Sequence, residues 1–174
     1  MADVSTAVLS IGSNKGDKPG NLHLAIACLD THERIDVLAV SRFYKTQPQN
    51  FVDQDWFVNA AVKIRCCTSD PGELLKMLKQ IESSMDKQGK PFRFGPRKID
   101  LDIIYFDDLV FKTPELEIPH PRMHERHFVL RPMCDIDPGA VHPVLGRTTQ
   151  ALFNQIETQE NQAVIPLEEE EENT

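Results

Sequence analysis

Two aspartates two residues apart, Asp100 and Asp102, interrupt the apolar run Ile99-Asp100-Leu101-Asp102-Ile103-Ile104. On a strand both carboxylates point to one face, roughly 6.6 Å apart along the chain. Ile99, Leu101 and Ile103 then point to the other. Two carboxylates in such a strand repel each other and are costly to desolvate. A divalent cation relieves both problems, and hard oxygen ligands favour magnesium. A pair of ions about 3.5–4 Å apart could be bridged by such a pair. Spacing alone fits a charge-protected strand edge equally well. The cations Lys90, Arg93, Arg97 and Lys98 lie directly upstream. Cations beside two carboxylates suit a metal–polyphosphate substrate. A solvated basic loop is the plainer alternative.

A second group could recognise a flat molecule. Phe57 and Asn59 share one side of a strand, opposite Val58. A ring beside an amide suits a heterocycle that needs stacking and hydrogen bonds to its edge. A core phenylalanine next to a satisfied edge amide has the same pattern. The run His120-Pro121-Arg122-Met123-His124-Glu125-Arg126-His127-Phe128 holds three histidines. Pro121 interrupts the helical spacing that zinc ligands would need, so contacts to phosphate oxygens fit better, with ordinary surface charge as the alternative. Gly12-Ser13-Asn14-Lys15-Gly16 follows a strand and precedes a helix, but it matches neither GxxxxGK[ST] nor GxGxxG. Gly12 still permits close approach of the backbone to a ligand.

The elements that must carry these groups follow from periodicity. Thr6–Gly12 reads as a strand, 13–20 as a loop, and Pro19 as the opening of a helix with Leu22, Ala25, Ile26 and Leu29 on one stripe. Ile35–Tyr44 reads as a strand, 45–55 as a polar loop, and Trp56 to about Cys66 as another strand. Asp70 caps a helix that starts with Pro71, has Glu73 three residues past the cap, and buries Leu74, Leu75, Leu78, Ile81 and Met85. Residues 88–98 form a charged loop before the strand Ile99–Phe106. Asp107 and Asp108 turn the chain into a short strand, Leu109–Phe111. A helical turn is expected around Met123–Leu130 and a surface helix over Thr148–Ile156. The order strand, helix, strand, strand, helix, strand predicts an α/β (α+β) fold, a ferredoxin-like split βαβ sheet with helices packed around it.

The 174 residues suggest one domain, and the formal charge of −8 argues against a general nucleic-acid backbone binder. Five glutamates, Glu168 to Glu172, supply much of that charge, and without them the balance is −3. Residues after about 160 read as untethered, so 161–174 is expected to be an acidic, disordered tail. Cys28, Cys66, Cys67 and Cys134 have no zinc spacing and read as reduced thiols, with Cys66 and Cys67 facing opposite ways. No signal-peptide pattern and no 18-residue apolar run occur, so a cytoplasmic location is expected. No nucleic-acid, membrane or obligatory protein partner is expected.

Several segments together carry a resemblance. They are Gly12-Ser13-Asn14, Phe43-Tyr44-Lys45-Thr46, Asn59-Ala60-Ala61-Val62, Phe94-Gly95-Pro96-Arg97-Lys98-Ile99-Asp100-Leu101-Asp102-Ile103, and Pro119-His120-Pro121-Arg122-Met123 with Arg126 and Phe128. In this order, over about residues 6 to 157, the chain resembles the 6-hydroxymethyl-7,8-dihydropterin pyrophosphokinases of folate biosynthesis. The GPR-x-[IL]-DLDI stretch is far more specific than the aspartate pair. The resemblance implies a catalytic domain over 1–160. It also implies transfer of the β,γ-pyrophosphoryl group of ATP to the pterin hydroxymethyl oxygen, with release of AMP. Asp100 and Asp102 would bind two magnesium ions, one helping to activate the hydroxyl. Arg97 and Arg126 would join them in catalysis.

By the same resemblance, Glu82, Lys87, Arg93, Arg97, Ile103, His120 and Arg126 would contact ATP. Gly12, Thr46, Gln47, Pro48, Phe57, Asn59, Phe94 and Phe128 would form the pterin site, with Phe57 and Phe128 stacking on its two faces. The loops 45–55 and 88–98 resemble mobile covers that exclude water. Phe57 stands where a tyrosine is familiar, Phe94 where a tryptophan is common, and Gly89 where an arginine often lies; Lys87, Lys90 or Arg93 would compensate. Two other readings fit the residues less well. One is another magnesium-dependent phosphohydrolase or phosphotransferase. The other is a nucleotide- or RNA-binding module, against which the acidic charge and the missing RNA-binding signature both count.

Overall fold

The central strand β1 (Ser5–Ser13) is buried at nearly every position, its three serines included, because both of its faces are covered. Ala7, Leu9 and Ile11 point to one side and Val8 to the other. The structure is a computed structural model that describes residues 3–49, 53–86, 96–159 and 162–168. Next in the chain come α1 (Lys18–Thr31), β2 (Ile35–Val40), β3 (Tyr44–Thr46), β4 (Phe57–Cys66), α2 (Pro71–Met85) and β5 (Asp100–Phe106). A small hairpin of β6 (Phe111–Lys112) and β7 (Glu117–Ile118) leads to a single 3₁₀ turn, Met123–Glu125. Then follow α3 (His127–Ile136), α4 (Thr149–Ile156) and β8 (Val164–Pro166).

The main sheet runs β5-β1-β4-β3-β8, with β2 also on β4, and every pairing is antiparallel. The path β5-β1-β4-β2 is the expected ferredoxin-like arrangement. The predicted strand 35–44 is instead two strands on the same partner. Between them Ser41 is buried, and its Oγ accepts the Ala61 N–H at 2.8 Å while donating to the Arg42 carbonyl. A side-chain oxygen thus replaces a ladder contact and lets Phe43 turn into the core.

Helix starts follow local chemistry. Asp17 accepts from Gly20 N–H, so α1 begins one residue before Pro19. Asp70 accepts from Gly72 N–H at 2.8 Å with Pro71 at the first helical position, as predicted. In α2 Met77 is buried and Leu75 only partly so, which rotates the predicted stripe slightly. The helix expected near 123–130 is a 3₁₀ turn followed by a longer α3, which continues to Ile136 through an internal Pro132. The short strand expected at Leu109–Phe111 lies two residues later, at Phe111–Lys112.

Two cores result, one on each face of the sheet. The first packs α1 and α2 against Leu9, Ile11, Val62, Ile64, Leu101 and Ile103. The second packs α3 and α4 against Val8, Ala61, Ile104 and Tyr105. A register shift between Val8 and Leu9 lets the consecutive Ile104 and Tyr105 both join the second core. The second layer covers only one end of its face.

Of the segment expected to be untethered, residues 162–168 are described, and they are held to the domain. Val164–Pro166 pairs with Tyr44–Thr46, and Leu167, 9 % exposed, joins the first core. Apolar residues ahead of the glutamates supply the edge contacts that a charge count overlooks. Residues 169–174 lie outside the described residues. Cys66 is buried and Cys67 exposed, and both are free thiols. Among the described residues no helix is long and apolar enough to cross a membrane.

Candidate active site

The uncovered end of the second face is a cavity of about 300 Å³. Its floor is set by strand register. Gly12 of β1 lies between Asn59 of β4 and Asp100 of β5, and Ser10 lies beside Asp102. Asp100 and Asp102 therefore share one face, while Leu101 and Ile103 are buried in the first core. Gly12 is required by close approach: a Cβ there would lie 2.5 Å from Asn59 Nδ2.

The amide of Asn59 is held in place. Its Oδ1 accepts from Thr46 Oγ1 at 2.6 Å and its Nδ2 donates to the Ile11 carbonyl at 3.4 Å. Two of the four hydrogen bonds that an asparagine amide can make are thus used among the described residues. Phe57, Gln47, Pro48 and Phe128 line the same end of the cavity.

At the other end stand Asp100 and Asp102 with the cations Lys79, Arg97 and Arg126. Arg97 reaches both ends. Its Nη1 is 2.8 Å from Asp100 Oδ2, and its guanidinium lies 5.6 Å from the Phe57 ring centre. Arg126 lies 5.4 Å from the Phe128 ring centre. Arg126 occupies the cap position of α3 and makes no side-chain cap bond. A guanidinium has no acceptor to offer there, so the side chain is available to the cavity.

Burial governs the charges. Burial first, then the Asp100 and Glu82 carboxylates, raise Asp102 to about 7. Burial also raises Glu82. Glu82 accepts from the Leu101 N–H at 3.0 Å and from Lys79 at 3.4 Å. His120 is pushed down to about 4 by burial, then by Arg126 and Arg122, so it is neutral at pH 7. Its Nδ1 accepts from Arg122 N–H at 3.3 Å, which leaves the ring proton on Nε2.

The donor set fits a hard cation. Two carboxylates raise one another's cost in the absence of a counter-charge, and among the described residues no cluster of three or more His, Cys, Asp or Glu is placed to hold a metal. Zinc takes three or four protein ligands, whereas magnesium is content with one or two carboxylates plus water and phosphate oxygens.

Of the residues singled out by sequence, Gly12, Thr46, Gln47, Pro48, Phe57, Asn59, Arg97, Asp100, Asp102, His120, Arg126 and Phe128 line this one cavity. Glu82 stands behind it, against β5. Ile103 does not line it; its side chain is 3 % exposed in the first core, because it alternates with Asp102. Lys87, Arg93 and Phe94 lie outside the described residues, as do Gly89 and Lys90. Ser10, Gln49, Gln54 and Lys79 also line the cavity and were not foreseen. Ser10 sits two residues before Gly12, so strand alternation from Gly12 would have found it.

Asn14 proves to be a tether. Its backbone N–H donates to the Arg97 carbonyl at 3.1 Å, and its Oδ1 accepts from Arg97 N–H at 2.8 Å. Its Nδ2 donates to Gln54 Oε1 at 2.7 Å. Three segments of the cavity rim therefore meet on one side chain.

The cavity thus joins an end with two carboxylates and several cations to an end with two aromatic rings and an amide. The family model described as 7,8-dihydro-6-hydroxymethylpterin-pyrophosphokinase (HPPK) matches residues 8–138. Folic acid synthesis protein FOL1 of Dictyostelium discoideum is 43% identical over 148 residues, covering 83% of this chain and 21% of that protein. The 2-amino-4-hydroxy-6-hydroxymethyldihydropteridine pyrophosphokinase of Bacillus subtilis is 42% identical over 130 residues, covering 75% of this chain and 77% of that one. A crystal structure of wild-type Plasmodium falciparum HPPK-DHPS with pteroate superposes with a TM-score of 0.74 at 17% identity, over 93% of this chain and 46% of that chain. That last likeness speaks for the fold. With the matched model spanning both aspartates and both rings, the chain belongs to the 7,8-dihydro-6-hydroxymethylpterin-pyrophosphokinase family.

Proposed function

We propose that this chain transfers the pyrophosphoryl group of ATP to the hydroxymethyl oxygen of 6-hydroxymethyl-7,8-dihydropterin and releases AMP. The observation that carries the reading is one cavity lined by an aspartate pair with cations and by Asn59 together with Phe57 and Phe128.

Asn59 and the backbone near Thr46 and Gln47 bind the pterin edge, and Phe57 and Phe128 take its faces. The hydroxymethyl group then lies toward Asp100 and Asp102. Those two carboxylates would hold the magnesium, two ions by the family resemblance, which would supply charge neutralisation for phosphate oxygens and activation of the hydroxyl. The hydroxymethyl oxygen attacks the β-phosphorus in line, and the bond to the α-phosphate oxygen breaks. Arg97 and Arg126 offer paired N–H donors to the triphosphate. Neutral His120 donates one hydrogen bond from Nε2 without adding charge. Lys79 and Glu82 complete the nucleotide end. Residues 1–160 would carry this site, with β8 fastened to its edge.

The test is incubation with ATP, magnesium and the hydroxymethyl pterin, followed by separation of nucleotides. AMP formed in step with a pterin diphosphate is the expected result. ADP or free phosphate as the main product would overturn the reading.

A further inference from the structure

The segment just before β8 touches both walls of the cavity without entering it. Gln162 Nε2 donates to the Glu125 carbonyl at 3.1 Å, and Gln162 Oε1 accepts the His127 N–H at 3.0 Å. One side-chain amide thus brackets Arg126 from both sides along the backbone. The Gln162 carbonyl lies 3.0 Å from His127 Nδ1, which fixes the same stretch a third time. The adjacent residue grips the opposite wall. Gln47 N–H donates to the Ala163 carbonyl at 3.1 Å, and Ala163 N–H donates to Gln47 Oε1 at 3.3 Å. β8 then continues along β3 with Val164 opposite Thr46, and Leu167 anchors it in the core.

Two consecutive residues therefore tie the wall carrying Thr46 and Gln47 to the wall carrying Arg126 and Phe128. Among the described residues the Gln162 side chain bonds only backbone groups and Gln159, and it spans from the Glu125 carbonyl to the His127 N–H. We propose that Gln162 is a positioning residue that sets the distance between the ring-binding and phosphate-binding ends of the cavity, acting through Arg126 and, by way of Ala163, through Gln47. This inference rests on the pyrophosphoryl-transfer reading given above.

The test compares wild type, Gln162→Ala and Gln162→Glu. The alanine variant loses the side-chain bonds to Glu125, His127 and Gln159. The glutamate variant keeps an acceptor for His127 N–H and sets an oxygen against the Glu125 carbonyl. KM for ATP and for the pterin, kcat and melting temperature are measured for each. Gln162→Ala is expected to raise both KM values by about fivefold or more, the scale of one lost hydrogen bond. Gln162→Glu is expected to raise them as well, with little change in melting temperature. Hydrogen exchange, read without substrate, should quicken in 44–49 and 123–130 and stay unchanged in β1 and β4. A folded, active Gln162→Ala with wild-type KM values, or one that only melts earlier, overturns the inference. Failure of the wild type to form AMP would overturn the function reading instead, so the two failures are separable.

Discussion

The two faces of β5 are built from alternate residues of one short strand, yet they meet different fates. Leu101 and Ile103 are sealed under α2 in a continuous apolar core. Asp100 and Asp102 look onto a cavity, because α3 and α4 stop at Ile104 and Tyr105 and leave the other end of the sheet uncovered. On the first face burial is a gain, since apolar area leaves water. On the second the same burial raises the cost of charge, as the shift of Asp102 records. A carboxylate held at such cost, beside another, is poised to gain from a cation.

Substitutions on the two faces should separate these roles. Asp102→Ala has the largest expected effect: turnover should fall by about a thousandfold or more, the scale of lost metal and transition-state electrostatics. Pterin affinity should change little, and measuring turnover and affinity together checks it; near-normal turnover would remove the role given to Asp102. Leu101→Ala, one residue away, should do the reverse. It should cost about 2–5 kcal/mol of stability by denaturant unfolding, with the residual folded protein still turning over.

The pH dependence sharpens the contrast in metal-free protein. Asp102 has a raised folded value, so its contribution to stability is complete below its ordinary value near 4 and is lost as pH rises through about 7. His120 has a depressed folded value, so its contribution is complete above 6.5 and is lost as pH falls through about 4. The two oppose one another between pH 4 and 6.5, and Asp102 alone acts from there to about 7.5. Asp102→Asn should therefore flatten the fall in melting temperature between pH 6.5 and 8, and a fall of wild-type size in that variant would contradict the assignment. Magnesium should restore wild-type stability at pH 8 and leave Asp102→Asn less affected.

Gly12→Ala has the smallest expected effect. Its methyl group would displace Asn59 from the floor, and the pterin KM should rise about tenfold, roughly 1.4 kcal/mol, while kcat at saturation holds. Unchanged pterin affinity would mean that Asn59 does not read the pterin edge.

Periodicity and capping alone determined much of this protein. The strands β1, β4 and β5, the start of α2 at Asp70-Pro71, the shared face of Asp100 and Asp102 and the family motif are all local patterns. A strand alternates and a helix caps through near neighbours, so a linear reading finds them. Tertiary structure decided what depends on distant partners. The break at Ser41 exists because Ala61 meets its hydroxyl. Asn14 and Arg97, far apart in the chain, hold each other's backbone. β8 is three residues long and is ordered by pairing with β3, more than a hundred residues earlier. Lys79 joins the cavity only because α2 packs along β5. Such contacts stabilise through loops closed across the whole fold, and no short window of sequence holds both partners.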